Sequence, residues 1–264
     1  MRPNHVLRAW REGGQTVGGW LSVGNAFTAE SMAHVGFDWL CIDMQHGLID
    51  YQDVKVMLPA ISTTNVMPIV RVPWNEPYEI MKVLDAGAYG VIVPLINNRA
   101  EAEKAVSACR YPPQGMRSFG PVRAAMYGGS NYAGEANNEI ACIAMIETAE
   151  GIENVDEIAA TPGLDAIYIG PSDLGYGLGL GPMAFEDPKH KETVAMILAA
   201  CKKAGIGAGI HTGSLDYTKR YLEMGFNMVT LGTDSAFMGR LARQELKQAR
   251  GDTGIDAVES TGYN

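Results

Sequence analysis

The feature that most constrains this chain is an alternation repeated eight times. Apolar, β-branched runs recur as TVGGWLSVG (16–24), WLCIDM (39–44), MPIVRV (67–72), GVIVPL (90–95), IACIAMIE (140–147), AIYIGP (166–171), IGAGIHT (206–212) and MVTLG (228–232). Helix-periodic stretches lie between them: AFTAESMAHVG, YQDVKVMLPAIST, EPYEIMKVLDAG, RAEAEKAVSACR, GIENVDEIAAT, KHKETVAMILAACKKAG and SLDYTKRYLEMG. A last one, SAFMGRLARQELKQAR, follows the final run. Short apolar runs bounded by turn residues read as buried strands. Gly36, Gly87, Gly205 and Gly225 stand where a helix hands over to the next strand, and glycine there accepts the left-handed backbone that closes a helix. Strands joined by helices pair in parallel, because each crossover needs a covering element. At 264 residues the expected architecture is an α/β closed (β/α)8 TIM barrel. An open doubly wound sheet is the other solution, but GNAFTAE after the first strand is not a phosphate-cradling glycine turn.

Residues 1–250 are expected to form this single barrel domain, and 251–264, GDTGIDAVESTGYN, a polar C-terminal tail. One segment breaks the rhythm: YPPQGMRSFGPVRAAMYGGSNYAGEANNE (111–139) joins the fourth helix to the fifth strand. It leaves from the bottom of the barrel, so its expected role is between subunits. With 21 basic and 30 acidic residues, the formal charge of −9 excludes nucleic acid and anionic membranes as natural partners. Cys41, Cys109, Cys142 and Cys201 lie far apart with no C-x-x-C pair, which argues for a reducing compartment and against a disulfide frame or zinc cluster. No run approaches a membrane span, and MRPNHVLRAWREGG lacks the apolar core of a signal peptide. The expected location is cytoplasmic.

Chemistry in such barrels gathers at the C-terminal ends of the strands. That rim carries Trp20, Asp43, His46, Arg71, Pro94, Glu147, Asp173, His211 and Asp234. Glu147 ends an apolar run, where a lone carboxylate is costly to desolvate, and Asp173 arrives from the adjacent strand through IGPSD. Taken singly, Glu147 reads as an arginine partner and Asp173 as a helix cap. Taken together, two neighbouring carboxylates call for a hard divalent cation such as Mg²⁺ or Mn²⁺. Arg71, in a strand end stiffened by Pro73 and Pro77, suits a carboxylate or developing oxyanion, or else an ion pair with Glu147 or Asp43. His46 is a candidate general acid or base, since histidine as a residue type titrates near neutrality, and Asp43 beside it reads as the group that orients its ring. In GPSDLG (170–175), Gly170 leaves room for a ligand, while Ser172 and Asp173 open a helix start that attracts anions. His5, His34 and His190 receive no role, and Asp234 reads as a cap for the last helix.

These residues together resemble the HpcH/HpaI aldolase family, the metal-dependent class II pyruvate aldolases. The matching segments are GGWLS, DWLCIDMQHG, PIVRVPWNE, LDAGAYGVIVP, MIETAEGIENVDEIAATPGLDAIYIGPSDLG and VTLGTD, in the family's order over most of the chain. The resemblance implies reversible aldol cleavage of 4-hydroxy-2-oxo acids to pyruvate, or hydroxypyruvate, and an aldehyde. It implies Glu147 and Asp173 as ligands of Mg²⁺ or Mn²⁺, with Co²⁺ also compatible. Arg71 would meet the 2-oxo oxygen, and His46 would move the proton, supported by Asp43 and by Asp85 of LDAGA. Gly170, Ser172 and Asp173 would hold the oxo-acid carboxylate, and Trp20 would line the pocket. The resemblance further implies a homo-oligomer, a hexamer built as a trimer of dimers, with the last helix exchanged between subunits. Two departures stand out: Gln45 where the family commonly has Glu, and Met145 where some relatives carry Gln. The alternatives are a related lyase acting on an enolate, such as an oxaloacetate decarboxylase, or a non-catalytic oxo-acid-binding barrel.

Overall fold

Every apolar run becomes a strand. The computed structural model describes residues 1–251, so the expected tail lies, beyond Gly251, outside the described residues. The strands are β1 Thr16–Leu21, β2 Trp39–Asp43, β3 Met67–Arg71, β4 Gly90–Val93, β5 Ala141–Ile146, β6 Ala166–Ile169, β7 Gly207–Ile210 and β8 Met228–Thr233. They pair in sequence order and close β8 onto β1, all parallel. The helices are α1 His5–Arg11, α2 Ala26–Ala33, α3 Tyr51–Ile61, α4 Pro77–Asp85, α5 Arg99–Cys109, α6 Val122–Gly128, α7 Tyr132–Glu139, α8 Ala149–Glu153, α9 Val155–Ala159, α10 Pro171–Gly177, α11 Pro188–Ala204, α12 Leu215–Met224 and α13 Asp234–Arg250. The expected (β/α)8 barrel is therefore the fold.

Two apolar layers hold it. Side chains facing out of the sheet, such as Leu21, Leu40, Ile42, Val70, Val91 and Val93, pack under the helices. Those facing inward, including Trp20, Trp39, Ile69, Ile92, Ile143 and Tyr168, fill the barrel. Each fully buried aliphatic or aromatic side chain of this kind contributes on the order of 1.5–3 kcal/mol. The helix ends follow local chemistry. Asp50 and Asp53 form a reciprocal capping box at the start of α3, and α11 and α12 close on left-handed Gly205 and Gly225.

Three features depart from the sequence reading. An N-terminal helix, α1, puts Val6, Leu7 and Trp10 into the lower barrel core. The 111–139 excursion contains two short helices, α6 and α7. Thr233, not Asp234, caps α13: its hydroxyl accepts the Ala236 N–H. Asp234 instead reaches back to β1, accepting from the backbone N–H groups of Ser22 and Val23 and from the Ser22 hydroxyl. The four cysteines are free and buried. No helix among the described residues is long and apolar enough to cross a membrane.

Candidate active site

The strands end at one mouth, and a cavity of about 370 Å³ opens there. Trp20, Asp43, His46, Arg71, Gly170, Ser172, Asp173 and His211 line it, together with Met145, Ser22, Thr233 and Ser235. Register explains the first pair. Asp43 and Arg71 are direct neighbours at the ends of β2 and β3. The Arg71 guanidinium grips Asp43 with both Nε and Nη2, at 2.8 and 2.6 Å from its two oxygens. It also stands over the Trp20 ring, 5.0 Å from the centroid. Trp20 in turn donates its indole N–H to Asp43 at 3.0 Å. Burial pushes the Asp43 carboxyl up, but the Arg71 bonds outweigh it and leave the pKa below the ordinary carboxylate value. This side chain is thus an anion whose lone pairs face Arg71, Trp20 and the backbone.

Asp43 reaches His46 at the backbone. Its Oδ1 accepts the Gln45 and His46 N–H groups at 3.1 and 3.3 Å. Asp43 thereby anchors the loop that carries His46, while its strong donors are the guanidinium and the indole. His46 itself is exposed at the mouth. Asp85 is not brought to this cluster within the chain. It ends α4, just before β4 begins, so it lies at the opposite end of the barrel, where it holds Arg117 at 2.8 Å.

Glu147 follows β5 and is 2% exposed. Its Oε1 accepts the Leu95 N–H at 3.0 Å, from a backbone with φ of 55° that is unusual for leucine. Its Oε2 stands close to Gly170: a Cβ there would lie 2.4 Å from that oxygen, so the carboxylate would have to shift. Burial, then the charge of Asp173, pushes the Glu147 carboxyl up to about 7. Neither Glu147 nor Asp173 has a salt-bridge partner among the described residues. A desolvated Glu147 and a half-buried Asp173 that sense each other's charge, both hard oxygen donors, fit a divalent cation of the Mg²⁺ or Mn²⁺ kind. Among the described residues no third His, Cys, Asp or Glu joins them, which leaves coordination positions for substrate and water, as such ions prefer. No lysine lines the cavity among the described residues, so the mouth offers no Schiff-base nucleophile.

The structure also assembles a group that the sequence reading did not connect. Tyr168 of β6 hydrogen-bonds the Thr230 hydroxyl of β8 and stands 3.4 Å from Nδ1 of His211. The Trp20 ring stacks on Tyr168 at 5.6 Å and meets His211 edge-on at 4.8 Å. Burial, then the nearby Arg71 charge, lowers the His211 pKa to about 4, so the ring is neutral at physiological pH. The signal was present in the register. Tyr168, Gly209 and Met228 are level on adjacent strands, and His211 and Thr230 come two residues later on the same inward face.

Fold and site together define a (β/α)8-barrel enzyme with its chemistry at the C-terminal mouth. More narrowly, the chain belongs to the HpcH/HpaI aldolase/citrate lyase family, whose model matches residues 16–239. A hydroxypyruvate/pyruvate aldolase of Rhizorhabdus wittichii is 41% identical over 248 residues, covering 94% of this chain and 99% of that one. A 4-hydroxy-2-oxo-heptane-1,7-dioate aldolase of Shigella flexneri is 36% identical, covering 90% of each. The crystal structure of a family member from Burkholderia cenocepacia superposes with a TM-score of 0.89 at 37% identity, covering 94% of this chain and 100% of that one. The family and the aldolase-type lyase activity expected from the sequence both stand.

Proposed function

We propose that this chain is a class II aldolase that reversibly cleaves 4-hydroxy-2-oxo acids to pyruvate, or hydroxypyruvate, and an aldehyde, with Glu147 and Asp173 holding its divalent cation. The observation that carries the reading is a buried carboxylate, Glu147, close enough to feel the charges of half-buried Asp173 and of Arg71, the last two lining one cavity. A cation held there would act as a Lewis acid toward the 2-oxo acid. The chain's own residues do the rest. The N–H groups of Ser172 and Asp173, in the first turn of α10, have no acceptor within the helix, which supports their binding the oxo-acid carboxylate. Gly170 keeps that approach open.

Arg71 meets the 2-oxo oxygen, where negative charge grows as the C3–C4 bond breaks. Asp43 and Trp20 hold the guanidinium in place beforehand, so little reorganisation is needed at that moment. His46, on its anchored loop, takes the 4-hydroxyl proton while the aldehyde C=O forms and the bond electrons pass into the enolate. A proton returned to C3 gives pyruvate. Asp85 has no part in this sequence within one chain.

Self-association belongs to the same reading. α13 leaves Met238, Leu241 and Leu246 exposed, and the excursion leaves Met116, Phe119, Val122 and Met126 exposed. Apolar faces of this extent support self-association, and the family resemblance extends this reading to a cytoplasmic trimer of dimers with α13 exchanged.

The test is pyruvate consumption in the presence of an aldehyde. EDTA should abolish it and Mn²⁺ or Mg²⁺ should restore it. Full activity in metal-free protein overturns the metal-dependent mechanism. Faster pyruvate release from oxaloacetate than from a 4-hydroxy-2-oxo acid would move the chain to the decarboxylases.

A further inference from the structure

A second cavity of about 230 Å³ opens beside the first, and the two share Pro171, Ser172 and His211. Met183, Phe185, Tyr217 and Tyr221 form its apolar wall. His211 therefore stands at the junction between the oxo-acid site and an aromatic recess. Its tautomer follows from hydrogen-bond accounting. Thr230 is fully buried and Tyr168 is fully buried, so each hydroxyl hydrogen needs an acceptor. Donation from Thr230 to Tyr168, and from Tyr168 to Nδ1 of His211, satisfies both. The reverse order leaves the Thr230 hydrogen without an acceptor. A neutral ring that accepts at Nδ1 carries its proton on Nε2.

Among the described residues no cationic side chain lines the recess. The guanidinium of Arg220 stands over the Tyr217 ring at 5.0 Å, but Glu186 engages it at 2.6 Å, along with Lys191 at 2.5 Å. An anionic tail entering this recess would be desolvated without a partner. The oxo-acid end of the substrate is held in the first cavity, so the remainder of the chain must leave past C3, and the recess opens there.

We propose that this second cavity is the subsite for the tail of the acceptor aldehyde, that it selects an uncharged apolar or aromatic tail, and that His211 donates from Nε2 to an oxygen carried next to the aldehyde carbon. The inference rests on the aldolase reading and adds the substrate class. It makes His211 a specificity-determining residue, with Tyr168 and Thr230 positioning its proton.

The experiment measures kcat/KM for addition of pyruvate to four aldehydes by the metal-loaded enzyme. Pentanal and succinic semialdehyde differ in tail charge, and glycolaldehyde and acetaldehyde differ by one hydroxyl. The native enzyme should favour pentanal over succinic semialdehyde by about tenfold or more. Met183→Trp, at an exposed wall position, should lower the pentanal to acetaldehyde ratio about tenfold by filling the recess. His211→Leu should lower the glycolaldehyde to acetaldehyde ratio by a similar factor, and His211→Gln, which keeps a donor, should restore part of it. A preference for succinic semialdehyde, or ratios unmoved in both Met183→Trp and His211→Leu, overturns the subsite while leaving the aldolase reading intact. Failure of all four aldehydes to react overturns the aldolase reading, and the subsite with it.

Discussion

Two buried arginine–aspartate pairs sit at opposite ends of the barrel, and their chemistry is nearly the same. At the mouth, Arg71 holds Asp43; at the bottom, Arg110 holds Asp165 at 2.7 Å. The difference lies in the remaining donors. Arg110 directs them to backbone carbonyls, of Ile140 at 2.9 Å and Gly163 at 2.8 Å. Asp165 also accepts the Cys142 N–H and a second guanidinium, that of Arg11. That pair ties α5 and α1 to the starts of β5 and β6, and it is closed. At the mouth, among the described residues, Nη1 of Arg71 faces only the Met145 sulfur at 3.8 Å, a weak acceptor, and the guanidinium lines a cavity. A buried ion pair becomes a functional element when its arginine keeps a strong donor for a ligand.

The comparison can be broken by three measurements. The largest effect is expected for Arg71→Lys, which keeps the charge but loses the planar fork. Its kcat/KM should fall by about 10²–10³. A loss of less than about threefold would remove Arg71 from the reaction, since oxyanion donors have far larger effects. Second, Arg110→Ala leaves Asp165 buried without its main partner and should destabilise the fold by about 3–5 kcal/mol in urea melts. Turnover per folded molecule should stay at the native level; a parallel loss of turnover would erase the contrast between the two ends.

The smallest effect concerns His211, which burial and then the Arg71 charge hold neutral. The ordinary His value of 6.5 falls to about 4 in the fold, so between these values the unfolded chain binds the extra proton. Stability from this group is complete above about 6.5, declines as pH falls toward 4 and declines no further below. The drop in melting temperature between pH 7 and pH 5 should therefore be smaller in His211→Leu than in the native protein. An equal drop in both would mean that His211 is not held neutral.

Much of the fold was legible because it rests on local pattern. The strands announce themselves as short β-branched runs, and barrel closure follows from their number, the chain length and the helix between each pair. The rim was legible for the same reason: a charged residue ending an apolar run, as Glu147 and Arg71 do, has no packing reason to be there. Pairings across strands were not legible. The sequence left Arg71 open to Glu147 or Asp43, and only the β2–β3 register, which sets Asp43 level with it, decides the matter. The same limit hid the Thr230–Tyr168–His211 chain, since Tyr and Thr in apolar strands look like ordinary core residues. Asp234 looked like a cap because it begins α13, yet closure of β8 onto β1 gives it better donors at Ser22 and Val23. Gln45 is a further case: its Oε1 is buried without a partner among the described residues, which sequence position alone does not reveal.

One missing atom couples the two halves of the mouth. A methyl group on Gly170 would stand 2.4 Å from the Glu147 carboxylate and 2.7 Å from the Met145 terminal methyl. The Met145 sulfur is itself the neighbour of Nη1 of Arg71. A side chain at position 170 would therefore push on the acid wall and, through the thioether, on the guanidinium at once. The spacing between the anionic and cationic sides of the reaction is set by a gap of about one carbon, and any enlargement there must be answered on both sides together.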